Sequence, residues 1–336
     1  MLARLLTSKS AKSDARVVAN CFRLAGDLYD VPTRFVLESI QNADDNDYEA
    51  GIKPFLRLSV APKQIRLDCN EKGFKEDHVR AICSVGQSTK SKQKATEGKI
   101  GFIGEKGIGF KSVFKLAERV YIHSPPFSFM FDKRRELGMI TPSWVPEGEV
   151  RSLLRAADSQ TAIFLLPNAG ETYDEPELLN EFLSIHSTLL LFLRKLKMLE
   201  LVFTDLSLGS GLSSFHKTLA CEMLDSRRVA ILTERDVITS KILKREKYYL
   251  FEQVREITLA VEEERRKGVK RTELALAFLL ESDRYIGVIS IYWRLTICRM
   301  TRYRSVKNKK RGRNLKYSSY IPTSGWRFPL VYYKSA

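Results

Sequence analysis

The sequence predicts an α+β fold, with helices and strands in irregular order rather than the regular alternation of a doubly wound sheet. Apolar residues at helical spacing come first, over residues 14–29 and 33–44, and two segments with strand-like alternation follow them. The length of 336 residues also matters, because single hydrophobic cores rarely grow beyond about 250–300 residues. We therefore expect two domains in a globular protein.

Local patterns predict the individual elements. Val17, Cys21 and Leu24 place apolar side chains on one face of the first helix, and Pro32 stands where the second helix can begin. Alternation of apolar and polar residues in "FLRLSVA" and "QIRLDCN" predicts a β-hairpin. A short helix, a strand and a long helix are predicted, in this order, for "EDHVRAICSVG", "TAIFLLP" and "LLNEFLSIHSTLLLFLRKL". Further strands are predicted over residues 199–204, 229–232 and 274–280.

The stretch "GKIGFIGEKGIGFKSVF" is rich in glycine and leads into an apolar segment. Glycine lets backbone N–H groups approach an anion, and a following helix N-terminus adds further donors. A dinucleotide fingerprint needs GxGxxG, whereas Gly104, Gly107 and Gly109 have the reverse order. A P-loop needs Lys directly after its second glycine, whereas Phe110 precedes Lys111 here. The P-loop is thus a near miss that stays among the alternatives, beside a phosphate cradle of another type and a flexible loop without a ligand.

Three polar residues of "FVLESIQNADDN" share one face of the second helix. Glu38 and Asn42 are four residues apart and Asp45 is three further on, a spacing that aligns side chains on an α-helix. A carboxylate can orient a water molecule, and an amide oxygen suits a hard cation such as Mg²⁺. Such a stripe also occurs on helices that only face solvent, but this combination suits phosphoanhydride hydrolysis.

Five segments occur in an order that resembles a known family: "ESIQNADDN", "NEKGF", "SVGQSTK", "GEKGIGFKS" and "SQTAIFLLP". Together they are similar to the motifs of the GHKL superfamily, the ATPases with the Bergerat nucleotide-binding fold. Ninety-kilodalton heat-shock chaperones, DNA gyrase, MutL and sensor histidine kinases carry such domains. The chain most resembles the sacsin and plant NO VEIN branch, strongly over residues 15–205 and more weakly to about residue 280. The resemblance implies a Bergerat-fold α/β sandwich, a mixed and mainly antiparallel sheet covered by helices.

The resemblance assigns the chemistry to the second helix and the following loop. It implies that Glu38 is the general base that polarises the attacking water and that Asn42 is the ligand of Mg²⁺. Asp45 would line the nucleotide pocket beside them. Glu71 stands where the family has an aspartate that binds the adenine amino group, and its longer side chain must retract by about one methylene to make the same bond. Gly73 is the first glycine of that motif, whereas the family's second glycine is replaced by lysine.

The resemblance also implies a lid and a pocket floor. Glycines of the glycine-rich stretch would wrap the triphosphate through their backbone amides, with lysines nearby. A threonine at the pocket floor would help to bind the purine; an ordinary strand threonine is the alternative. The residues assigned to these roles are Lys90, Gly104, Lys106, Gly107, Gly109, Phe110, Lys111 and Thr161.

The expected domain organisation follows from the extent of the resemblance. We expect an ATP-binding domain over residues 1–205 and a partial transducer-like or accessory α+β region over residues 206–285. The basic segment 286–336 departs from the family pattern and has the composition of an insertion, a disordered tail or a gene-model error.

The predicted function is that of an Mg²⁺-dependent ATPase in a chaperone-like or regulatory setting. ATP and Mg²⁺ are the expected cofactors, and a protein client or a homodimer formed through the lid is the expected partner. A nucleotide-binding or interaction module without turnover is the alternative. Histidine-kinase activity is not expected, because none of the four histidines lies in an evident phosphoacceptor helix.

The net charge of +16 is concentrated near the C-terminus. Residues 286–336 contain 12 Lys and Arg and no Asp or Glu. The densest part, between Arg299 and Lys316, could bind nucleic acid or remain a solvated basic loop. Five scattered cysteines without a CxxC pair favour a reducing compartment. We therefore expect an intracellular protein, cytoplasmic or nuclear, without a membrane partner.

Overall fold

The computed structural model describes residues 34–83, 109–146, 149, 160–167, 175–204, 214–224, 228–256, 271–281 and 284–294. All of them lie in one compact unit, residues 1–305. Within them the chain forms a twelve-stranded sheet, three α-helices and two short 3₁₀ helices. The predicted helix over residues 14–29 lies outside the described residues, as does most of the basic segment.

The helices are short. The α-helices are α1 (Arg34–Asp45), α2 (Glu76–Cys83) and α3 (Glu175–Leu183), and the 3₁₀ helices are Gly109–Lys115 and Ser187–Leu191. The strands are β1 (Phe55–Ala61), β2 (Gln64–Cys69), β3 (Arg119–Ser124), β4 (Phe127–Asp132), β5 (Ser143–Trp144), β6 (Thr161–Leu166), β7 (Met198–Thr204), β8 (Ser214–Met223), β9 (Val229–Asp236), β10 (Ile242–Glu256), β11 (Arg271–Glu281) and β12 (Arg284–Arg294).

The sheet is mixed. Its strand order is β12-β11-β10-β9-β8-β7-β1-β2-β6-β3-β4-β5. β1 pairs in parallel with β7, whereas its other neighbour, β2, is antiparallel and forms the predicted hairpin. The hairpin, α1, α2 and β6 are all confirmed close to their predicted bounds. β1 therefore lies at the junction between the first half of the chain and the strands that follow residue 198.

The main core lies between α1 and one face of the sheet. Leu56, Leu58 and Val60 are buried at alternate positions of β1, as the period of two requires for a strand with one face covered. Phe35 and Ile40 of α1 belong to the same hydrophobic cluster and are fully buried. A smaller cluster contains Tyr121, Val145, Ala162 and Phe164.

The prediction of a Bergerat-fold sandwich is wrong. The described residues form one large mixed sheet with few helices, not a sheet covered by helices. The region predicted as a partial second α+β unit contains only strands where it is described, and β8 to β12 extend the sheet from β7. Alternation of apolar residues identifies a strand but not its neighbour, because strand pairing is decided by contacts between distant residues.

The long helix predicted over "LLNEFLSIHSTLLLFLRKL" is also wrong. α3 ends at Leu183 and a separate 3₁₀ helix covers Ser187–Leu191. Leu189 to Leu193 are five consecutive apolar residues, all nearly completely buried. A single helical stripe cannot bury every consecutive side chain against one partner, so an irregular path through the core replaces the helix.

The sheet is continuous across the predicted domain boundary at residue 205. β7 pairs with β8 from Met198↔Ala220 to Thr204↔Ser214. β12 (Arg284–Arg294) carries the sheet into the first residues of the basic segment. The division into domains stays a prediction.

Candidate functional site

The polar face of α1 is partly buried. Phe35, Val36, Ile40 and Ala43 point into the core, while Glu38 and Asn42 are half-buried and Asp45 is buried. Between residues 35 and 45 no side chain of the helix is exposed. A helix with a solvated polar face would leave that face open. The stripe of Glu38, Asn42 and Asp45 is therefore shielded from solvent only in part at Glu38 and Asn42 and almost completely at Asp45.

The loop that carries Glu71 is attached to the end of α1. The amide of Lys72 donates a hydrogen bond to the carbonyl oxygen of Asp47 (2.8 Å). The Tyr48 hydroxyl donates to the carbonyl oxygen of Ala43 (2.7 Å) and lies 3.3 Å from the Cys69 sulfur at the end of β2. Glu71 is 3% exposed. These bonds hold the buried Glu71 beside the last turn of the helix.

Glu71 also affects the pKa values of two nearby groups, the Cys69 thiol and the Tyr48 hydroxyl. Burial, and after it the negative charge of Glu71, raises the pKa of the Cys69 thiol to about 12. Burial also raises the pKa of Tyr48, with smaller contributions from Cys69, Glu71 and Asp44. Glu71 therefore acts electrostatically on Cys69 at the end of β2 and on Tyr48, three residues after α1.

Thr161 is connected through Ser124 to the loop that carries Glu71. β2 pairs with β6 in a register that sets Cys69 opposite Thr161. The Thr161 and Ser124 hydroxyl oxygens are 2.6 Å apart, and the Ser124 oxygen accepts a hydrogen bond from the amide of Phe74 (2.7 Å). Both hydroxyl side chains are buried. Ser124 was not predicted as a site residue, since it belongs to none of the recognised motifs and reaches the loop only through the pairing of β3 with β6.

Gly73 is required by its conformation and its surroundings. Its φ is +88°, and a Cβ built there would lie 3.3 Å from the Pro125 carbonyl oxygen and 3.4 Å from the Ser124 oxygen. We expect Gly73→Ala to destabilise the fold by about 1–2 kcal/mol, measured by urea denaturation. Gly51→Ala is the matched control, because Gly51 has a φ of +82° and open space around its Cβ position. Equal losses of stability for both variants would show that the contact of the added Cβ with Ser124 and Pro125 does not contribute to the cost.

The 3₁₀ helix Gly109–Lys115 contains the last residues of the glycine-rich stretch and packs against α1. Gly109 begins this helix and Phe110 is half-buried. The Lys111 ammonium donates a hydrogen bond to the Met139 carbonyl oxygen (2.5 Å) and lies 4.5 Å from the centre of the Phe131 ring. The ring centres of Phe110 and Phe114 are 5.6 and 5.7 Å from the same ammonium. The Lys111 side chain thus links the 3₁₀ helix to Phe131 of β4 and to Met139.

Lys111 should make stability depend on pH. Burial lowers its pKa from 10.5 to about 7, and Cys83 acts weakly in the opposite direction. Below pH 7 both states bind the proton, so the folded state carries the full cost of the buried charge. Between pH 7 and 10.5 the unfolded state binds more protons, so this cost falls as pH rises. Lys111→Met should lack this contribution, because methionine carries no charge. The free energy of unfolding of Lys111→Met, compared with that of the parent, should therefore decrease by about 3 kcal/mol as pH rises from roughly 6 to 9.5.

Urea denaturation at the two pH values measures this effect. Lys115→Met is the matched control, because Lys115 lies on the same 3₁₀ helix but is exposed. A difference between parent and Lys111→Met that is the same at both pH values would contradict the prediction.

Asp44 was missed by the sequence reasoning. It is 1% exposed, and its carboxylate accepts three backbone hydrogen bonds, from Arg194 (3.0 Å), Lys195 (2.8 Å) and Leu196 (2.9 Å). The Lys195 ammonium donates in return to the Asn46 carbonyl oxygen (2.6 Å). The segment before β7 therefore holds the C-terminal end of α1. No local signal separates Asp44 from Asp45, because the partners of Asp44 are about 150 residues away.

The chain is similar to the Arabidopsis thaliana protein NO VEIN. It is 37% identical to it over 201 residues, which is 55% of this chain and 7% of NO VEIN. The chain thus spans a small fraction of the length of this relative. No protein-family model matches the chain.

The structure brings part of the predicted site together. Glu38, Asn42 and Asp45 lie on α1, and the end of this helix is bonded to the loop of Glu71 and Gly73. Thr161 is joined to the same loop through Ser124, and the 3₁₀ helix of Gly109, Phe110 and Lys111 packs on α1. The remaining predicted residues lie outside the described residues: Lys90, Gly104, Lys106 and Gly107. The lid stays a prediction.

The described residues offer no ready-made metal cluster. They contain no group of three or more His, Cys, Asp or Glu side chains that could hold a metal ion. Among the same residues no helix is long and apolar enough to cross a membrane.

Proposed function

We propose that the region around α1 binds ATP with Mg²⁺ and hydrolyses it, as the GHKL ATPases do whose motifs the sequence resembles. The observation that carries the proposal is the partly buried polar face of α1. No side chain of this helix between residues 35 and 45 is exposed, and pockets that bind small ligands place a few polar groups among apolar walls.

The second support is the convergence of distant motifs. The loop of "NEKGF" is bonded to the end of α1 by Lys72 and Asp47, and its Phe74 is bonded to Ser124. The "SQTAIFLLP" segment joins them at Thr161. Segments about 120 residues apart in sequence thus share one neighbourhood, and binding sites commonly combine a few convergent polar groups with apolar walls.

The residues present fit a magnesium nucleotide. The Glu38 carboxylate would accept a proton from the attacking water, and the Asn42 amide oxygen would be a ligand of the cation. The buried Glu71 would accept a hydrogen bond from the amino group of the base, with the Thr161 hydroxyl nearby. Bound Mg²⁺ would neutralise charge on the phosphates. The role of this chain's own residues is to orient the water and to exclude bulk solvent.

Titration calorimetry of the whole chain with ATP tests the binding. We expect binding that depends on Mg²⁺ and that weakens by about tenfold or more in Asn42→Ala, since an amide ligand of the cation is lost. Asn180→Ala is the matched control, because Asn180 is an exposed amide on α3. Absence of nucleotide binding would contradict the proposal. ATP binding without phosphate release would identify a nucleotide-binding module without turnover.

A further inference from the structure

The hairpin between β9 and β10 exposes four large aliphatic side chains together. They are Val237 (37% exposed), Ile238 (59%), Ile242 (48%) and Leu243 (50%). We call residues 236–243 the hairpin tip. Single exposed aliphatic residues are normal on protein surfaces, whereas a group within one turn of a hairpin indicates a contact surface.

A β-bulge contributes to this exposure. The register of β9 with β10 shifts between Ile242, which pairs with Arg235, and Lys244, which pairs with Glu234. Leu243 is therefore the additional residue of β10. A bulge disrupts the strict alternation of a strand and redirects side chains. Ile242 and Leu243 are consecutive, yet both are exposed.

The backbone of the tip is well supplied with hydrogen-bond partners. The amides of Asp236 and Val237 donate to the carbonyl oxygens of Lys241 (2.9 Å) and His216 (2.8 Å). One carboxylate oxygen of Asp236 accepts from the amides of Ile238 (3.0 Å) and Thr239 (3.4 Å). Four consecutive amides are thus bonded within the protein. This matters because an unpaired backbone group is costly wherever water is excluded.

The acidic residues near the tip already have partners. The second Asp236 oxygen accepts a hydrogen bond from the Thr239 hydroxyl (2.7 Å). This bond is the largest of the effects that lower the pKa of Asp236. Glu246 is paired with Lys244 at 2.9 Å. Glu234 is buried and paired with Lys217 at 2.7 Å. Glu246 and Glu234 are therefore neutralised by lysines, whereas Asp236 keeps its charge and is held by uncharged donors.

Basic side chains surround the aliphatic group. Lys241 is an exposed residue of the tip itself, and further exposed basic residues flank the tip on both strands: Arg235, Lys244 and Arg245. An apolar centre with a basic border matches an anionic phospholipid surface, where the aliphatic side chains enter the headgroup boundary and the cations remain at the phosphates.

We propose that the hairpin tip binds the surface of an anionic phospholipid membrane. A membrane is favoured over a protein partner because four half-exposed aliphatic side chains offer only a few hundred Å², whereas a stable protein interface needs about 800 Å² per partner. A bilayer requires no complementary pocket for the exposed side chains of the tip. The contact is peripheral, and it does not depend on the proposed ATPase activity.

Vesicle co-sedimentation of the whole chain tests the proposal. We expect binding to vesicles of phosphatidylcholine with phosphatidylserine and weak binding to phosphatidylcholine alone. The double substitution Ile238→Ser and Leu243→Ser should reduce partitioning by tenfold or more, and Lys241→Glu by about tenfold, since each nearby charge contributes measurably. Val254→Ser is the control, because Val254 is 48% exposed on β10 outside the tip.

Two results would overturn the proposal. One is the absence of wild-type binding to the anionic vesicles, which would indicate that the tip contacts a protein and not a membrane. The other is undiminished binding of the double variant, which would place the lipid contact elsewhere, for example between Arg299 and Lys316. Circular dichroism of each variant shows that the fold is retained, and serine at these exposed positions removes no buried side chain.

Discussion

Replacing Glu38 by alanine is expected to leave ATP binding within about twofold of the parent and to lower phosphate release by roughly 100- to 10,000-fold, the usual contribution of a general base. Glu38 is half-buried on the polar face of α1, one helical turn before Asn42. The carboxylate would activate water rather than hold the nucleotide, so the loss should appear in kcat and not in the dissociation constant.

Phosphate release and calorimetry, measured on the same preparations, separate these two quantities. Glu222→Ala is the control, because Glu222 is an exposed carboxylate on β8. If Glu38→Ala released phosphate at the parent's rate, the assignment of Glu38 as the base would be wrong while ATP binding could still stand. A loss of binding in Glu38→Ala would instead indicate a positioning role.

Replacing Asp44 by alanine is expected to destabilise the fold by about 3–5 kcal/mol, because a buried carboxylate is lost and three amides are left without their acceptor. The amides belong to Arg194, Lys195 and Leu196. Urea denaturation measures the effect. Asp44→Asn should cost less, since its amide oxygen can still accept two of the three bonds if its NH₂ group replaces the oxygen that faces Arg194.

Asp47→Ala is the matched control for Asp44→Ala. Asp47 also contacts Lys195, at 3.0 Å, but its side chain is 76% exposed. Exposed ion pairs usually contribute less than about 1 kcal/mol. Equal costs for the two variants would contradict the view that the Asp44 carboxylate fastens α1 to the segment before β7.

Local patterns predicted the elements better than their arrangement. The start of α1 followed from Pro32, and the β1–β2 hairpin followed from alternation, because both signals lie within a few residues. The apolar run ending in Leu193 was wrongly assigned to a helix, since periodicity cannot distinguish a helix from irregular chain that is buried on all sides. The Bergerat sandwich was wrong because a motif order does not specify how many strands extend the sheet.

The candidate site was likewise predicted where it depends on local geometry and missed where it depends on distant contacts. Glu38, Asn42 and Asp45 share a face because of helical geometry, and the sequence predicted this correctly. Ser124 and Asp44 could not have been found in this way. Ser124 reaches Phe74 through strand pairing, and Asp44 reaches its amides about 150 residues further along the chain.

The sequence by itself determined which residues form the polar stripe, which segments form strands and where glycine is abundant, because these properties depend on neighbours along the chain. Only the tertiary structure decided that the stripe is partly buried, that the strands after residue 198 join β1 in a single sheet, and that Lys111 faces Met139 and Phe131. These features depend on contacts between distant residues, whose free energies are not encoded in any local pattern.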